Sequence, residues 1–375
     1  MDNTNYGVSF NKPFIGIFMK KTSINRLMKG KHIPTISPFE IANKQKQLTL
    51  YYFSMDDINL KKKLIKGTFY NTNKNKWDKQ YFAYPDILYK RCHPSKKEKK
   101  DFKIFSKHLS KINTQPLNLQ NSFNKWEVIQ NLSKYPTLLS HLPETILYND
   151  PQDLEKMLNK HQKVYLKGCY GGRGRQVIAV TKLTQGGFRY SLFVGKLYIY
   201  EVATFDDLLL NIMNFYKQRP FIIQAAIDLI QIEDRLVDLR PEVQRNGKNQ
   251  IVIAGLPVRI GKKAAPITTH AESYNFEEFF RKFMYYPKDK ISLLKEQITS
   301  FVTTIYQHLE LDYGPCGELG IDIGLDKNNR LWFIECNSRS RKVSFFNTYD
   351  NDAINQSFIN LLEYAQYLYS KRGKI

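Results

Sequence analysis

Short apolar runs separated by polar turns mark most of this chain, and their spacing predicts strands more often than helices. Phe14–Met19, Leu48–Phe53 and Ile87–Tyr89 are continuous apolar runs, the pattern of short strands buried on both faces. Alternating with helix-like segments, they predict a small open α/β domain over residues 1–118. The polar stretch from Lys96 to Asn121 follows as helix plus linker. Asn124 is placed to cap a helix that turns Trp126, Ile129 and Leu132 inward and stops before Pro136. Residues 163–202 are rich in strand formers and precede a helix over 205–216. Strands are expected at 221–227, 236–245 and 250–260. A helix over about 288–311 follows, with Leu293, Ile298, Phe301, Val302, Ile305 and Leu309 as its core stripe. A hairpin at 317–337 and a helix over about 353–370 complete the chain. The expected division is 1–118, 119–220 (a small subdomain with its entry helix) and 221–375 (a larger subdomain). No internal repeat is present.

The hairpin carries the densest polar chemistry. Leu319–Leu325 and Leu331–Cys336 flank the turn residues Lys327-Asn328-Asn329-Arg330. A four-residue turn there sets Asp322 opposite Glu335, and opposed side chains have Cβ atoms about 4.5–5.5 Å apart. Asn337 falls on the same face, with Ile321, Ile323, Trp332 and Ile334 on the other. Two carboxylates held that close repel unless a cation or a proton settles them. Oxygen ligands suit Mg²⁺, which takes one or two carboxylates plus substrate phosphates. A hairpin with a wet outer face is the other reading of this pattern.

Earlier in the chain, the apolar strand Val164–Gly168 carries Lys167, then Cys169-Tyr-Gly-Gly-Arg-Gly-Arg175 and a returning strand over 176–180. Backbone N–H groups of such a loop can wrap phosphate oxygens, and glycine allows close approach and positive φ. This is not a Walker A loop, which needs Gly-Lys-Ser/Thr opening a helix. It is not a Rossmann fingerprint either, because a strand follows it. A plain turn is the alternative, weakened by the lysine before it and the carboxylates after it.

Composition narrows the class. Of 375 residues 42% are hydrophobic and 14% aromatic, enough core for two or three domains or subdomains. Cys92, Cys169, Cys316 and Cys336 are scattered without a CxxC, which fits free thiols in a reducing compartment. Cys169 and Cys336 adjoin the two constellations and read as space-filling side chains, with a nucleophilic role as the alternative. There is no membrane-spanning apolar run and no signal-peptide pattern, so a cytoplasmic location is expected. Lys and Arg number 57 against 35 Asp and Glu, a net charge of +22 that attracts anionic partners. The lysines are spread along the chain, and no recognition motif points to specific nucleic-acid binding.

Taken in order, these features resemble the ATP-grasp superfamily, whose members hold ATP between two α+β subdomains. The resemblance implies an α/β (α+β) ATP-grasp fold preceded by a small open α/β N-terminal domain. Lys125, in Phe123-Asn-Lys-Trp126, matches the first nucleotide lysine and Lys167 the second, with Gly171, Gly172 and Gly174 as the flexible loop. Phe221-Ile-Ile-Gln-Ala-Ala-Ile227 matches the strand that reads adenine, with Gln224, Ala225 and Ile227 as contacts. Gln224 stands where many members carry glutamate, and an amide can still donate and accept. Asp238-Leu-Arg240 resembles the Asp-x-Arg element near ribose and phosphates. Asp322, Glu335 and Asn337 match the Mg²⁺ ligands, with two ions bridged by Glu335 and Mn²⁺ as an alternative.

A narrower resemblance is to YheC/YheD-type ATP-grasp proteins, known as endospore-coat-associated. It rests on Ile15-Gly16-Ile17-Phe18, Gly67 with Trp77, Pro85-Asp86-Ile87-Leu88-Tyr89-Lys90-Arg91, Leu142-Pro-Glu-Thr145, Asp238-Leu-Arg240 and Val258-Arg259-Ile260-Gly261. The implied activity is ATP-dependent carboxylate–amine ligation through an acylphosphate, on a small anionic, amino-acid or peptide substrate. Arg240 and Arg259 are the expected cations for the substrate carboxylate, with Arg339 and Arg341 as second choices. His270 is open between loop and site. The implied alternative is a non-catalytic ATP-binding spore-coat protein.

Overall fold

The computed structural model describes residues 12–172, 174–266, 268 and 272–372. Among them the strands form three sheets, of seven, six and eight strands. In the first, Phe14–Phe18 lies between Thr49–Phe53 and Ile87–Lys90 and runs parallel to both. Both faces are covered, which is why these runs are apolar throughout. Ile15, Ile17, Tyr52 and Ile87 face one core, and Phe18, Tyr51, Phe53 and Leu88 the other. An antiparallel hairpin, Leu64–Asn71 with Lys76–Ala83, extends the sheet.

The six-stranded sheet is antiparallel and includes Lys163–Gly168, Val177–Lys182, Phe188–Val194 and Lys196–Val202. Phe221–Ala225 belongs to it too, between Lys163–Gly168 and Thr145–Leu147. The chain therefore leaves this sheet after Ala225, one strand later than a boundary at 220. The capped helix Lys125–Leu132, expected with this sheet, instead buries Val128, Ile129 and Leu132 in the core of the eight-stranded one. Asn124 caps it by accepting from Trp126 N at 3.0 Å.

Two expected strands of the large sheet are each cut by a proline. The segment 236–245 becomes Arg235–Leu239 and Glu242–Arg245 around Pro241, and 250–260 becomes Ile251–Gly255 and Val258–Ile260 around Pro257. Proline has no N–H for the ladder. At the break, Arg240 N–H donates to Pro257 O at 2.9 Å. The helix Lys288–Tyr313 covers the sheet through Ile291, Leu294, Ile298, Phe301, Val302, Ile305 and Leu309. Leu293, expected in that stripe, is 56% exposed; one position is about 100° around a helix.

The last helix, Asn351–Lys371, lies against Glu242–Arg245 and Ile251–Gly255 of the large sheet and packs Phe358, Leu361, Leu362 and Ala365 into the core of the first. The exit from the N-terminal domain is stitched to the hairpin that carries Asp322 and Glu335. Leu117 N donates to Leu88 O at 2.9 Å, and Gly317 N to Leu117 O at 2.8 Å. Buried Asn118 donates to Glu318 O (3.0 Å) and Ser338 O (2.6 Å). It also accepts from Gly317 N (2.8 Å) and Glu318 N (3.1 Å). Among the described residues no helix is long and apolar enough to cross a membrane.

Candidate nucleotide and metal site

Glu318–Leu325 and Leu331–Asn337 pair antiparallel, and Asp322 stands opposite Glu335, with Gly320 opposite Asn337. The route to that register is not a four-residue turn. The turn is Asp326–Arg330, where Asp326 N donates to Arg330 O at 3.0 Å. The Asp326 carboxylate accepts from Asn328 N and Arg330 N, both at 2.9 Å. Beside it Leu325 pairs with Leu331 and Ile323 with Phe333. An undisturbed ladder would then put Ile334 opposite Asp322 and send Glu335 into the core. A register shift between Asp322 and Ile323 makes Ile334 the extra residue of a bulge.

That bulge corrects two side-chain assignments. Ile334 Cδ1 lies 3.4 Å from where a Cβ on Gly324 would sit, and Gly324 shares the face of Asp322. Ile334 is thus on the carboxylate face, not the apolar one. Trp332 pairs with Gly324, and its Nε1 donates to Asp326 Oδ2 at 2.9 Å. Phe333, which alternation had sent outward, is the core residue, 1% exposed.

Cations surround the paired carboxylates. Asp322 Oδ1 accepts from Arg240 Nη1 at 2.7 Å and from Arg259 Nη2 at 3.0 Å. Arg259 also grips Asp238 with two nitrogens, Nε to Oδ1 at 2.6 Å, and Thr268 donates to the same carboxylate. Asp238, expected near ribose, is therefore committed to holding Arg259. Lys125 Nζ lies 3.6 Å from Glu335 Oε2, and Asn337 Nδ2 donates to Glu335 Oε1 at 3.2 Å. Burial is the largest influence on both acids and pushes both up. In Asp322 burial wins, helped by Glu335, although Arg240 and Arg259 oppose it. In Glu335, Lys125, Lys167 and the Asn337 amide win, and the group is held low.

Lys167 is buried and donates to Gln224 Oε1 at 2.6 Å. Burial lowers it to about 8, with Lys125 adding to the fall while Glu335 and Asp322 oppose it. Both ends of the Gln224 amide are engaged, because its Nε2 donates to Thr145 Oγ1 at 2.9 Å. Gln224 thus positions Lys167. Thr145, missed as a site residue, lies in the Leu142-Pro-Glu-Thr145 segment that supported the narrower resemblance. The Ala225 N–H donates to Glu144 O at 2.8 Å, and Ile227 O accepts from Leu229 N at 2.9 Å, so both are satisfied within the chain.

The glycine loop reaches the same place. Lys125 N donates to Cys169 O at 2.9 Å and Lys125 Nζ to Gly171 O at 3.0 Å. Gly171 and Gly174 have φ of +134° and +65°, a region that excludes most side chains. A Cβ on Gly172 would sit 4.0 Å from Asn337 Oδ1, so the loop tip lies over the carboxylate face. Arg173 and His270 lie outside the described residues. Phe123, Lys125, Val128, Ile129, Ile222, Gln224 and Phe333–Cys336 line a narrow cleft between the two sheets.

Among the described residues no three acidic, histidine or cysteine side chains cluster as a ready-made metal cage. The donor set is two opposed carboxylates and one amide, all oxygen, which fits Mg²⁺ completed by phosphate oxygens. It does not fit a softer metal.

The comparisons agree with this geometry. Residues 113–368 match the family model described as YheC/D like ATP-grasp, and the chain belongs to that family. It is 26% identical to the endospore coat-associated protein YheD of Bacillus subtilis over 371 residues, covering 96% of this chain and 79% of that one. It is 24% identical to YheC of the same organism, covering 83% of this chain and 85% of that one. Among solved structures, the VanG D-Ala:D-Ser ligase of Enterococcus faecalis superposes with a TM-score of 0.54 at 12% identity. That match covers 96% of this chain and all of the ligase, so the fold is that of the ATP-grasp ligases.

Proposed function

We propose that this member of the YheC/D-like ATP-grasp family is an ADP-forming carboxylate–amine ligase. The observation that carries the reading is the Asp322–Glu335 pair, opposed under the glycine loop with Asp322 buried and Glu335 half-buried, and ringed by Arg240, Arg259, Lys125 and Lys167. A scaffold gains nothing from two opposed carboxylates whose desolvation costs several kcal/mol per ion. In the proposed reaction a substrate carboxylate oxygen takes the γ-phosphoryl group as the bond to ADP breaks. An amine then attacks the acylphosphate carbonyl, inorganic phosphate leaves, and the amine gives up a proton to solvent.

Asp322, Glu335 and Asn337 would hold Mg²⁺, which neutralises phosphate charge when bound. Lys125 and Lys167 face the same carboxylates and supply the cations for the phosphate chain. Lys167 is kept in place by Gln224, and the loop over Asn337 excludes water from the acylphosphate. Arg240 and Arg259 touch Asp322 directly, and we assign them to orienting it and to stabilising charge on the transferred phosphoryl group. Ile334 gives the cleft an apolar wall suited to the base. The coat-associated names of YheD and YheC support a spore-coat association for this chain too.

The test is release of ADP from ATP across a panel of acids and amines. Glu335→Gln is expected to abolish Mg²⁺-dependent turnover while the protein melts within a few degrees of the parent. Turnover within a few-fold of the parent in that variant would remove the assignment.

A further inference from the structure

A second concentration of positive charge lies beside the carboxylate face and has no use in the chemistry above. Lys90 ends the strand Ile87–Lys90, at the carboxyl edge of the parallel part of the N-terminal sheet. In open α/β sheets that edge is where ligands settle. His93 follows three residues later, its Nδ1 3.3 Å from Asn121 Nδ2. Arg339 approaches from the other side, two residues after Asn337, with Nη1 3.5 Å from Arg91 O. Among the described residues no carboxylate pairs with Lys90 or Arg339, whereas Arg91, Arg240, Arg245 and Arg259 each have one. Burial lowers Lys90, and the charge of Arg339 lowers it further.

The backbone around Arg339 is pinned on both sides. Ser338 O accepts from Asn118 Nδ2 at 2.6 Å, and Ser340 O from Arg91 Nη2 at 2.8 Å. Arg91 is itself fixed by Glu318 at 3.0 Å. Two half-buried like charges held together without a counterion cost stability, and a fold tolerates that cost where a ligand anion supplies the missing charge. Two residues of extended chain span at most about 7 Å, so this cluster sits within a small molecule's reach of the metal face.

We propose that Lys90 and Arg339, with His93 at the rim, form an anion subsite for a second anionic group on the substrate, separate from the carboxylate that is activated. The substrate of this chain is then at least dianionic, its remote group a carboxylate or a phosphate. The substrate role rests on the ligase reading; the anion binding does not.

The experiment is melting of the full chain with glutarate, inorganic phosphate or the monoanion butyrate at matched ionic strength, and separately with Mg²⁺ and a non-hydrolysable ATP analogue. The parent is expected to be stabilised by glutarate or phosphate and not by butyrate. The double variant Lys90→Gln/Arg339→Gln is expected to melt higher than the parent without anion, because the repulsion is gone. It should require at least roughly tenfold more anion for any stabilisation, as loss of a charge-assisted contact implies, and should keep its nucleotide response. Response to glutarate alone assigns a carboxylate, and response to phosphate alone a phosphate. Response to both assigns a site that reads charge. No stabilisation of the parent by either dianion, or an equal response in the double variant, overturns the subsite. Loss of the parent's nucleotide response with its anion response kept would sink the ligase reading and leave the subsite standing.

Discussion

At the scale of single residues, burial decides what a charged group in this chain does. Asp322 and Lys167 are both buried and both displaced toward neutrality, and each is recovered by named partners: Arg240 and Arg259 for the first, Gln224 for the second. A simpler case lies far from the cleft, in the helix Ser37–Lys46, where Glu40 accepts from Tyr52 Oη at 2.6 Å. Burial raises the Glu40 carboxyl from 4.5 to about 7, although the Tyr52 hydrogen bond and Lys44 pull it down. Between those two values the folded chain holds more protons than the unfolded one, so this group's contribution to stability falls as pH rises through that window. Glutamine keeps an acceptor for Tyr52 and carries no charge. Glu40→Gln is therefore expected to melt with the parent near pH 5 and above it near pH 8, with the gap opening between. A gap of equal size at both values would mean the carboxyl titrates normally.

At the scale of elements, a single bulge separates a legible site from a misread one. The hairpin itself was written in two apolar runs and a polar turn, and Asp322 opposite Glu335 followed from them. Alternation then misplaced Ile334, because no sequence signal marks a residue that the ladder skips, and the Asp326-centred turn was one residue longer than expected. The placement of Ile334 predicts a defined loss. Ile334→Ala removes apolar wall from the cleft, at about 0.8 kcal/mol per methylene buried against the base, so with one to two such groups lost the nucleotide dissociation constant should rise about four- to fifteenfold while turnover at saturating ATP is retained. An unchanged dissociation constant would return Ile334 to the core. The glycine loop tests the opposite end of the cleft. Its tip is tied down by Lys125 Nζ on Gly171 O and by little else among the described residues. Amide exchange over 169–175 should therefore be fast without nucleotide and slow with Mg²⁺ and ATP. Slow exchange in both states would show a loop already locked. Elsewhere the same limits recur. Pro241 and Pro257 break strands that apolar content alone runs straight through, and the buried helix position is Leu294, one step around from Leu293.

At the scale of the whole molecule, what the sequence concealed is how its parts are joined. Each sheet's apolar runs announce a strand, but nothing in the run Phe358–Ala365 says that it joins the N-terminal core while its helix also lies against the large sheet. Asn118 is harder still, a polar residue in a polar stretch that reads as linker. It is buried with all four of its hydrogen bonds directed at the start of the hairpin that carries Asp322 and Glu335 and at Ser338. Through Leu117 on Leu88 O, the same segment extends the N-terminal sheet. Asn118 thus fixes the position of Lys90 relative to Arg339 and of both relative to Glu335, so the two anion-handling centres share one hinge point. Alanine there strands two carbonyls and the Glu318 N–H in the interior, while Gly317 N keeps Leu117 O, a loss of about 2–5 kcal/mol. Asn118→Ala should raise amide exchange in 87–90 and in 316–319 together, and leave the strands at 163–168 and 177–182 protected as before. It should also weaken binding of dianions more than binding of nucleotide, because the cleft between the six- and eight-stranded sheets does not use Asn118. Faster exchange on one side of the stitch alone would mean that the two parts are held together by the C-terminal helix, and that the spacing of Lys90 and Arg339 does not depend on this residue.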